Sequence, residues 1–310
     1  MASGTADPAE KLLLLDTPSL YFRAYHGVPR SVTAPDGTPV NAVRGTVDVL
    51  ARQLRELRPH RVVACFDEDW RPEWRVRLLP TYKLHRVADD GGDQTPDDLA
   101  PQVPILENVL DAVGVARLGA AGFEADDVIG TLTAQHPGPV DILTGDRDLF
   151  QLVRDDRPVR VVYTVEKFRP VDEARVTEKY GIPGRTYGDF AVLRGDPSDG
   201  LPGVPGIGAK TAAALIERFG SVEGMVAAVD EGRLDGFPAG ARAKLEKARD
   251  YLADAAPVVR VRDDVPVPEL DAAVPREPRD PAALIELSER WGLDGPLNRL
   301  LNTMRELAAG

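Results

Sequence analysis

The chain has 310 residues, 43% hydrophobic and 28% charged, with a formal net charge of −12. That length and composition suit a globular protein of about two domains and exclude disorder along the whole chain. The charge excludes a uniformly basic nucleic-acid binder, and the single cysteine, Cys65, excludes a disulfide framework or a cysteine zinc site.

Residues 1–10 are small and polar and read as a disordered tail. Lys11–Asp16 is an apolar run ending in an acid and predicts a buried strand. Its four leucines are far too few for a signal-peptide core or a membrane span, so a cytoplasmic setting is expected. Val40–Leu57 has helical apolar spacing. Arg61–Asp67 and Val140–Asp146 repeat the pattern of an apolar run ending in an acid, and 158–163 predicts one more short strand. Helical patterns cover 97–113 and 124–135. Strands alternating with helices predict an α/β fold with a parallel sheet flanked by helices. Beyond about 185 the chain becomes helical, over 187–194, 209–219, 222–229, 241–252, 281–291 and 296–307. The reading is therefore an α/β half over 11–184 and a helical half over 185–310.

Asp16, Asp67 and Asp146 each close a predicted parallel strand. In open α/β sheets the functional crevice lies beyond the carboxyl ends of the strands. Asp148 stands two residues after Asp146, Glu124, Asp126 and Asp127 open a helix, and Asp196 and Asp199 share a Gly/Pro loop. One or two acids in a first turn suit the helix dipole, but Glu124 and Asp127 at i,i+3 repel without a cation between them. Carboxylates converging on one crevice would have raised pKa values or hold divalent metals. Oxygen ligands alone select Mg2+ or Mn2+, and paired ions of that kind serve phosphodiester hydrolysis.

Between Trp70 and Arg86 lie five basic residues and one acid, interleaved with Trp70, Trp74 and Tyr82. Basic groups beside aromatics suit a nucleic-acid strand; the plainer alternative is an amphipathic helix with its tryptophans packed inward. Residues 201–211 (LPGVPGIGAKT) almost match a P-loop, but Ala209 separates Gly208 from Lys210 and no strand precedes the turn. A helix–hairpin–helix fits better: a glycine turn whose free N–H groups meet a phosphate at the next helix N-terminus. Such a motif holds duplex backbone without reading bases.

Together these segments resemble the bacterial 5′ nuclease family, the 5′–3′ exonuclease domain of DNA polymerase I and its stand-alone flap-endonuclease relatives, in the PIN-like superfamily. The matching stretches are LLLLDTPSLYFRAYHG (12–27), VVACFD (62–67), WRVRLLPTYKLHR (74–86), TPDDL (95–99), GFEADDVIGTL (122–132), ILTGDRDLFQLV (142–153) and GDPSDGLPGVPGIGAKTAAALI (195–216). The resemblance implies a PIN-like sheet followed by a helix–hairpin–helix domain. It implies that Asp16, Asp67, Glu124, Asp126, Asp127, Asp146, Asp148, Asp196 and Asp199 surround two divalent ions, Mg2+ or Mn2+. An arch over about 70–98 would carry Arg75, Tyr82, Lys83 and Arg86, with Lys83 and Arg86 nearest the scissile phosphate. Arg23 and Tyr25 match a substrate gateway. Gly203, Gly206, Gly208 and Lys210 match the duplex-binding hairpin, with K+ as a possible occupant. Gly200 departs from the family, where asparagine is usual.

The implied activity is a 5′–3′ exonuclease and flap endonuclease acting on DNA in replication and repair, as a nucleoid-associated monomer. RNA–DNA primers are a further substrate, and no membrane partner is expected. Two alternatives are a non-catalytic DNA-structure binder, which would show gaps in the acid set, and a PIN-type ribonuclease, which would lack the hairpin.

Overall fold

The computed structural model describes residues 10–88, 91–92 and 94–309. The expected tail at 1–10 lies outside these, apart from Glu10. Six strands form one sheet: β1 (Leu12–Asp16), β2 (Arg61–Cys65), β3 (Ala116–Leu118), β4 (Val140–Thr144), β5 (Val159–Tyr163) and β6 (Arg169–Val171). Their spatial order is β3-β2-β1-β4-β5-β6. All pairings are parallel except β5–β6. The sheet thus carries an antiparallel edge that the sequence did not predict, because β6 is three residues long and two of them are exposed.

Every residue of β1 and β4 is buried, as expected of strands covered on both faces. Alternation divides their side chains. Leu12 and Leu14 join one core with Val63, Cys65 and Ile142, while Leu13 and Leu15 join the other with Val62, Ala64 and Leu143.

The helices are α1 (Thr17–Gly27), α2 (Asn41–Leu57), α3 (Glu73–Leu78), α4 (Gln102–Val113), α5 (Ala125–Gln135), α6 (Glu173–Tyr180), α7 (Tyr187–Arg194), α8 (Ala209–Phe219), α9 (Val222–Asp230), α10 (Ala241–Lys247), α11 (Arg249–Val259), α12 (Pro281–Trp291) and α13 (Asp294–Ala309). The helix expected over 241–252 is two helices meeting at Ala248, and the second runs on to Val259 through Pro257. The last two do not join the helical half. Helix α12 packs on α4, and α13 on α2, where Arg55 pairs with Glu306 and Arg299 with Asp48.

From β1 the chain moves outward through β2 to β3, then returns to place β4 on the other side of β1. The switch point therefore lies between β1 and β4, and a crevice opens beyond their carboxyl ends. Among the described residues no helix is long and apolar enough to cross a membrane.

Candidate active site

Asp16 ends β1 at the switch point. One of its oxygens accepts the Ser19 amide at 3.2 Å and the other the Thr144 hydroxyl at 2.5 Å. Thr144 ends β4, and its hydroxyl oxygen also accepts the Asp146 amide at 2.8 Å. One hydroxyl therefore ties the ends of the two central strands together. Asp146 accepts the Asp148 amide at 2.8 Å, an Asx turn that directs the chain back inward. Asp148 is buried, and its Oδ1 has no hydrogen-bond partner.

Burial raises the Asp16 pKa to about 7; the Thr144 hydroxyl opposes this, and the carboxylates of Asp146 and Asp67 add to it. Burial likewise pushes Asp126 and Asp148 well above the usual carboxylate range, with neighbouring acids adding to the shift. Asp146 is raised by burial and by Asp199. These acids therefore share a crevice in which their negative charge is poorly compensated.

The acids at the start of α5 divide into two groups. Asp67 accepts the Ala125 amide at 2.7 Å. Asp126 faces the crevice, where its charged neighbours are Asp16, Asp146, Glu124 and Lys83. Asp127 corrects the expectation of a ninth metal ligand. It is fully buried, takes two hydrogen bonds from Arg75 at 2.7 and 2.8 Å, and accepts the Arg262 amide at 3.0 Å. Arg75 corrects the expectation of an arch residue facing DNA. It is 2% exposed and also binds Glu124 at 2.5 Å and the Val258 carbonyl at 2.9 Å. A buried charge must be paired, and this pair joins α3, α5 and α11.

The rest of the basic segment folds back over the crevice. The buried Tyr82 donates its hydroxyl to Glu124 at 2.7 Å, so its ring is not free to stack on a base. Trp74 is half-buried, and its indole N–H is buried without a partner. The Lys83 ammonium pairs with Glu124, and the Lys83 amide donates to the Asp199 carbonyl at 3.0 Å. Burial alone would lower the Lys83 pKa, but the Glu124 carboxylate, with Tyr82 and Asp199, holds it well above its usual value. Arg86 donates to the Ser198 carbonyl at 2.7 Å and lies 3.6 Å from Asp199.

This docking depends on Gly200. Its φ is +74°, and a Cβ there would lie 2.0 Å from the Thr81 carbonyl oxygen. Asp196 is buried, and Arg194 and Arg147 lie 3.4 and 3.5 Å from it. Basic side chains of the protein itself thus balance several of the acids. Among the described residues, no three His, Cys, Asp or Glu side chains stand together ready to hold a metal ion. The residues nevertheless fit hard divalent ions: Asp148 presents an unpartnered buried oxygen, and its neighbours carry raised pKa values.

The hairpin lies on the helical half. Gly203 has φ +72°, and a Cβ there would fall 2.5 Å from the Gly195 amide nitrogen. Gly206 and Lys210 are exposed, and Gly208 precedes α8 with no side chain capping it. The first amides of α8 are therefore free to meet an anion. Arg23 is exposed on α1, whereas Tyr25 is 1% exposed with an unpartnered hydroxyl, so Tyr25 does not reach the crevice surface as expected of a gateway residue.

A model of the "5′-3′ exonuclease, N-terminal resolvase-like domain" matches residues 11–181, and one of the "5′-3′ exonuclease, C-terminal SAM fold" matches 182–281. A 5′-3′ exonuclease of Streptomyces coelicolor is 58% identical over 94% of this chain and 99% of its own length. The chain belongs to the 5′–3′ exonuclease family. A second family member, from Mycobacterium tuberculosis, is 47% identical over 96% of this chain and 98% of its own. Among solved structures, bacteriophage T5 5′-exonuclease with zinc bound superposes with a TM-score of 0.61 at 19% identity, covering 96% of this chain and 99% of that one.

In this exonuclease, sequence reasoning missed Thr144 and Ser19, which position Asp16. Both had a signal. Thr144 is the hydroxyl residue directly before the Gly-Asp turn, and Ser19 follows Asp16 at the spacing of a helix cap.

Proposed function

We propose that the chain hydrolyses DNA phosphodiesters at 5′ ends and 5′ flaps. Asp16, Asp67, Glu124, Asp126, Asp146, Asp148, Asp196 and Asp199 would hold two divalent ions, Mg2+ or Mn2+. The single observation that carries this reading is the unpartnered Asp148 oxygen among buried acids of raised pKa at the sheet's switch point. When bound, such ions make water nucleophilic near neutral pH and stabilise the leaving oxygen.

The chain's own groups do the rest. The Thr144 hydroxyl and Ser19 amide fix the Asp16 carboxylate. Lys83 must leave Glu124 before that acid can take up a new partner, and the released ammonium, with Arg86, then neutralises charge developing on the phosphate. Arg75 and Asp127 hold α3 against α5 and so position both Lys83 and Asp126. The free amides before α8, with Lys210, grip the duplex phosphates. K+ at this turn belongs to the same proposal. Its ligands would be turn carbonyls, of which those of Val204 and Gly206 already accept the Ile207 amide and the Lys244 ammonium. The same reading makes the enzyme a cytoplasmic, nucleoid-associated monomer that also acts on RNA–DNA primers.

Labelled substrates with mapped product ends test this directly. With Mn2+, a 5′-flap duplex and a nicked duplex should be cut near the junction or from the 5′ end, and faster than single-stranded RNA. Preferential cleavage of RNA would overturn the reading in favour of a ribonuclease, and no cleavage of any substrate would favour a non-catalytic binder.

A further inference from the structure

The backbone of Asp148 is held on both sides. Its amide donates to the Asp146 carboxylate at 2.8 Å, and its carbonyl accepts the Gln151 side-chain amide at 2.8 Å. The first anchor is a carboxylate, which a cation in the crevice attracts. The second is a neutral amide, which gives a cation no charge to attract. Gln151 lies in the short 3-10 turn Asp148–Leu152 and is 7% exposed.

The same side chain reaches across to the helical half. Its Nε2 also donates to the Val259 carbonyl, at the end of α11, at 3.1 Å, and its Oε1 accepts the Val261 amide at 3.0 Å. Both donors and the acceptor of the amide are thus in use. The reverse orientation would set its oxygen against two carbonyls and its NH2 against an N–H, so the network fixes which way the amide points. Three other side chains fasten the same stretch of chain. Arg75 binds the Val258 carbonyl, Asp127 accepts the Arg262 amide, and the Thr131 hydroxyl accepts the Val265 amide at 3.1 Å. Of these four fasteners, Gln151 is the one that also holds the backbone of Asp148, whose buried Oδ1 has no partner.

We infer that Gln151 is a positioning residue for Asp148, tying the backbone of that acid to the segment 259–261 of the helical half. With Asp146 drawn to a cation, Gln151 is the anchor that keeps the Asp148 carboxylate aimed into the crevice. It touches neither substrate nor ion and acts through Asp148. Groups that orient a ligand in this way are worth about 10- to 100-fold in metal affinity. The helical half thereby contributes to the geometry of the acid crevice as well as to the hairpin. This inference rests on the reading of Asp148 as a metal ligand, and the experiment separates the two.

Mn2+ is titrated by calorimetry into the full chain as wild type, Gln151→Met, Gln151→Asn, Thr131→Val and Asp148→Asn. Gln151→Met keeps the volume and removes all three bonds. Gln151→Asn is the milder change: it keeps the amide but is too short to span from Asp148 to residues 259–261. Thr131→Val loosens the same segment at Val265 and leaves the Asp148 turn alone. Thermal melting verifies that each variant is folded; if Gln151→Met is not, Gln151→Asn decides. Both Gln151 variants are expected to weaken, by about tenfold, the Mn2+ site that Asp148→Asn loses, with Thr131→Val matching wild type. In single-turnover cleavage of a flap duplex, the Mn2+ concentration giving half the maximal rate should rise by the same factor. If Asp148→Asn loses the site while the Gln151 variants bind as wild type does, the inference fails and the metal reading stands. If Thr131→Val weakens Mn2+ binding as much as the Gln151 variants do, the effect is general loosening and the inference also fails. If Asp148→Asn binds Mn2+ like wild type, the metal reading itself falls, and the inference with it.

Discussion

Asp16 closes β1 and Asp127 stands in the first turn of α5, and the two do different work. Asp16 is buried against other acids, and its pKa in the folded protein is about 7, above the value of an aspartate in an unfolded chain. The folded, metal-free protein therefore holds this proton more tightly than the unfolded chain does. The stability it contributes is fully present below about pH 4, where both states are protonated, and is lost as pH rises through about 7. Asp16→Asn should accordingly raise the melting temperature of the metal-free protein at pH 8 by several degrees and abolish the further rise that Mg2+ gives wild type. Melting curves with and without Mg2+ check both, and an unchanged melting temperature at pH 8 would contradict the assignment. Asp127 is already neutralised by Arg75. Removing one partner of such a buried pair costs about 3–5 kcal/mol. Asp127→Asn should therefore unfold at lower denaturant but keep its Mn2+ affinity in calorimetry, whereas Asp148→Asn should lose it. Equal losses of Mn2+ binding would return Asp127 to the metal site.

At the scale of elements, the segment from Thr81 to Arg86 is held on the loop 196–200 and on the start of α5. Gly200 allows that contact because any Cβ would meet the Thr81 carbonyl. Gly200→Asn should release the segment and speed tryptic cleavage after Lys83 and Arg86 several-fold without lowering overall stability by more than about 2 kcal/mol. Unchanged digestion would show that the contact does not hold the segment. Much of the architecture was legible at this scale. Buried parallel strands are near-continuous apolar runs, so β1, β2 and β4 announced themselves, and the acids closing or following them marked the crevice. Helix α1 was hidden because Thr17-Pro18-Ser19 reads as a loop, and β3 and β6 are too short to carry a pattern. The fates of Arg75 and Tyr82 were not legible. Their partners lie 42 to 52 residues away at α5, and only the assembled fold turns a basic, aromatic segment inward.

Across the whole molecule, the charge of −12 opposes a polyanion everywhere except at local features. The acids of the crevice that no basic side chain balances would repel a phosphate, and on the proposed reading divalent ions would reverse that sign. DNA affinity at about 0.1 M salt should therefore rise at least tenfold when Ca2+ is added, and fall steeply as NaCl is raised. Anisotropy titrations with and without Ca2+ test this, and equal affinities would show that the crevice takes no part in binding. The central claim, that these buried carboxylates serve phosphodiester hydrolysis through divalent ions, is tested most directly by single-turnover cleavage of a 5′-labelled flap duplex in Mg2+ by wild type, Asp148→Asn and Asp199→Asn. The account predicts rapid cutting near the junction by wild type and a rate at least a thousandfold lower in both variants, with duplex binding retained. Cleavage by both variants at the wild-type rate would contradict it.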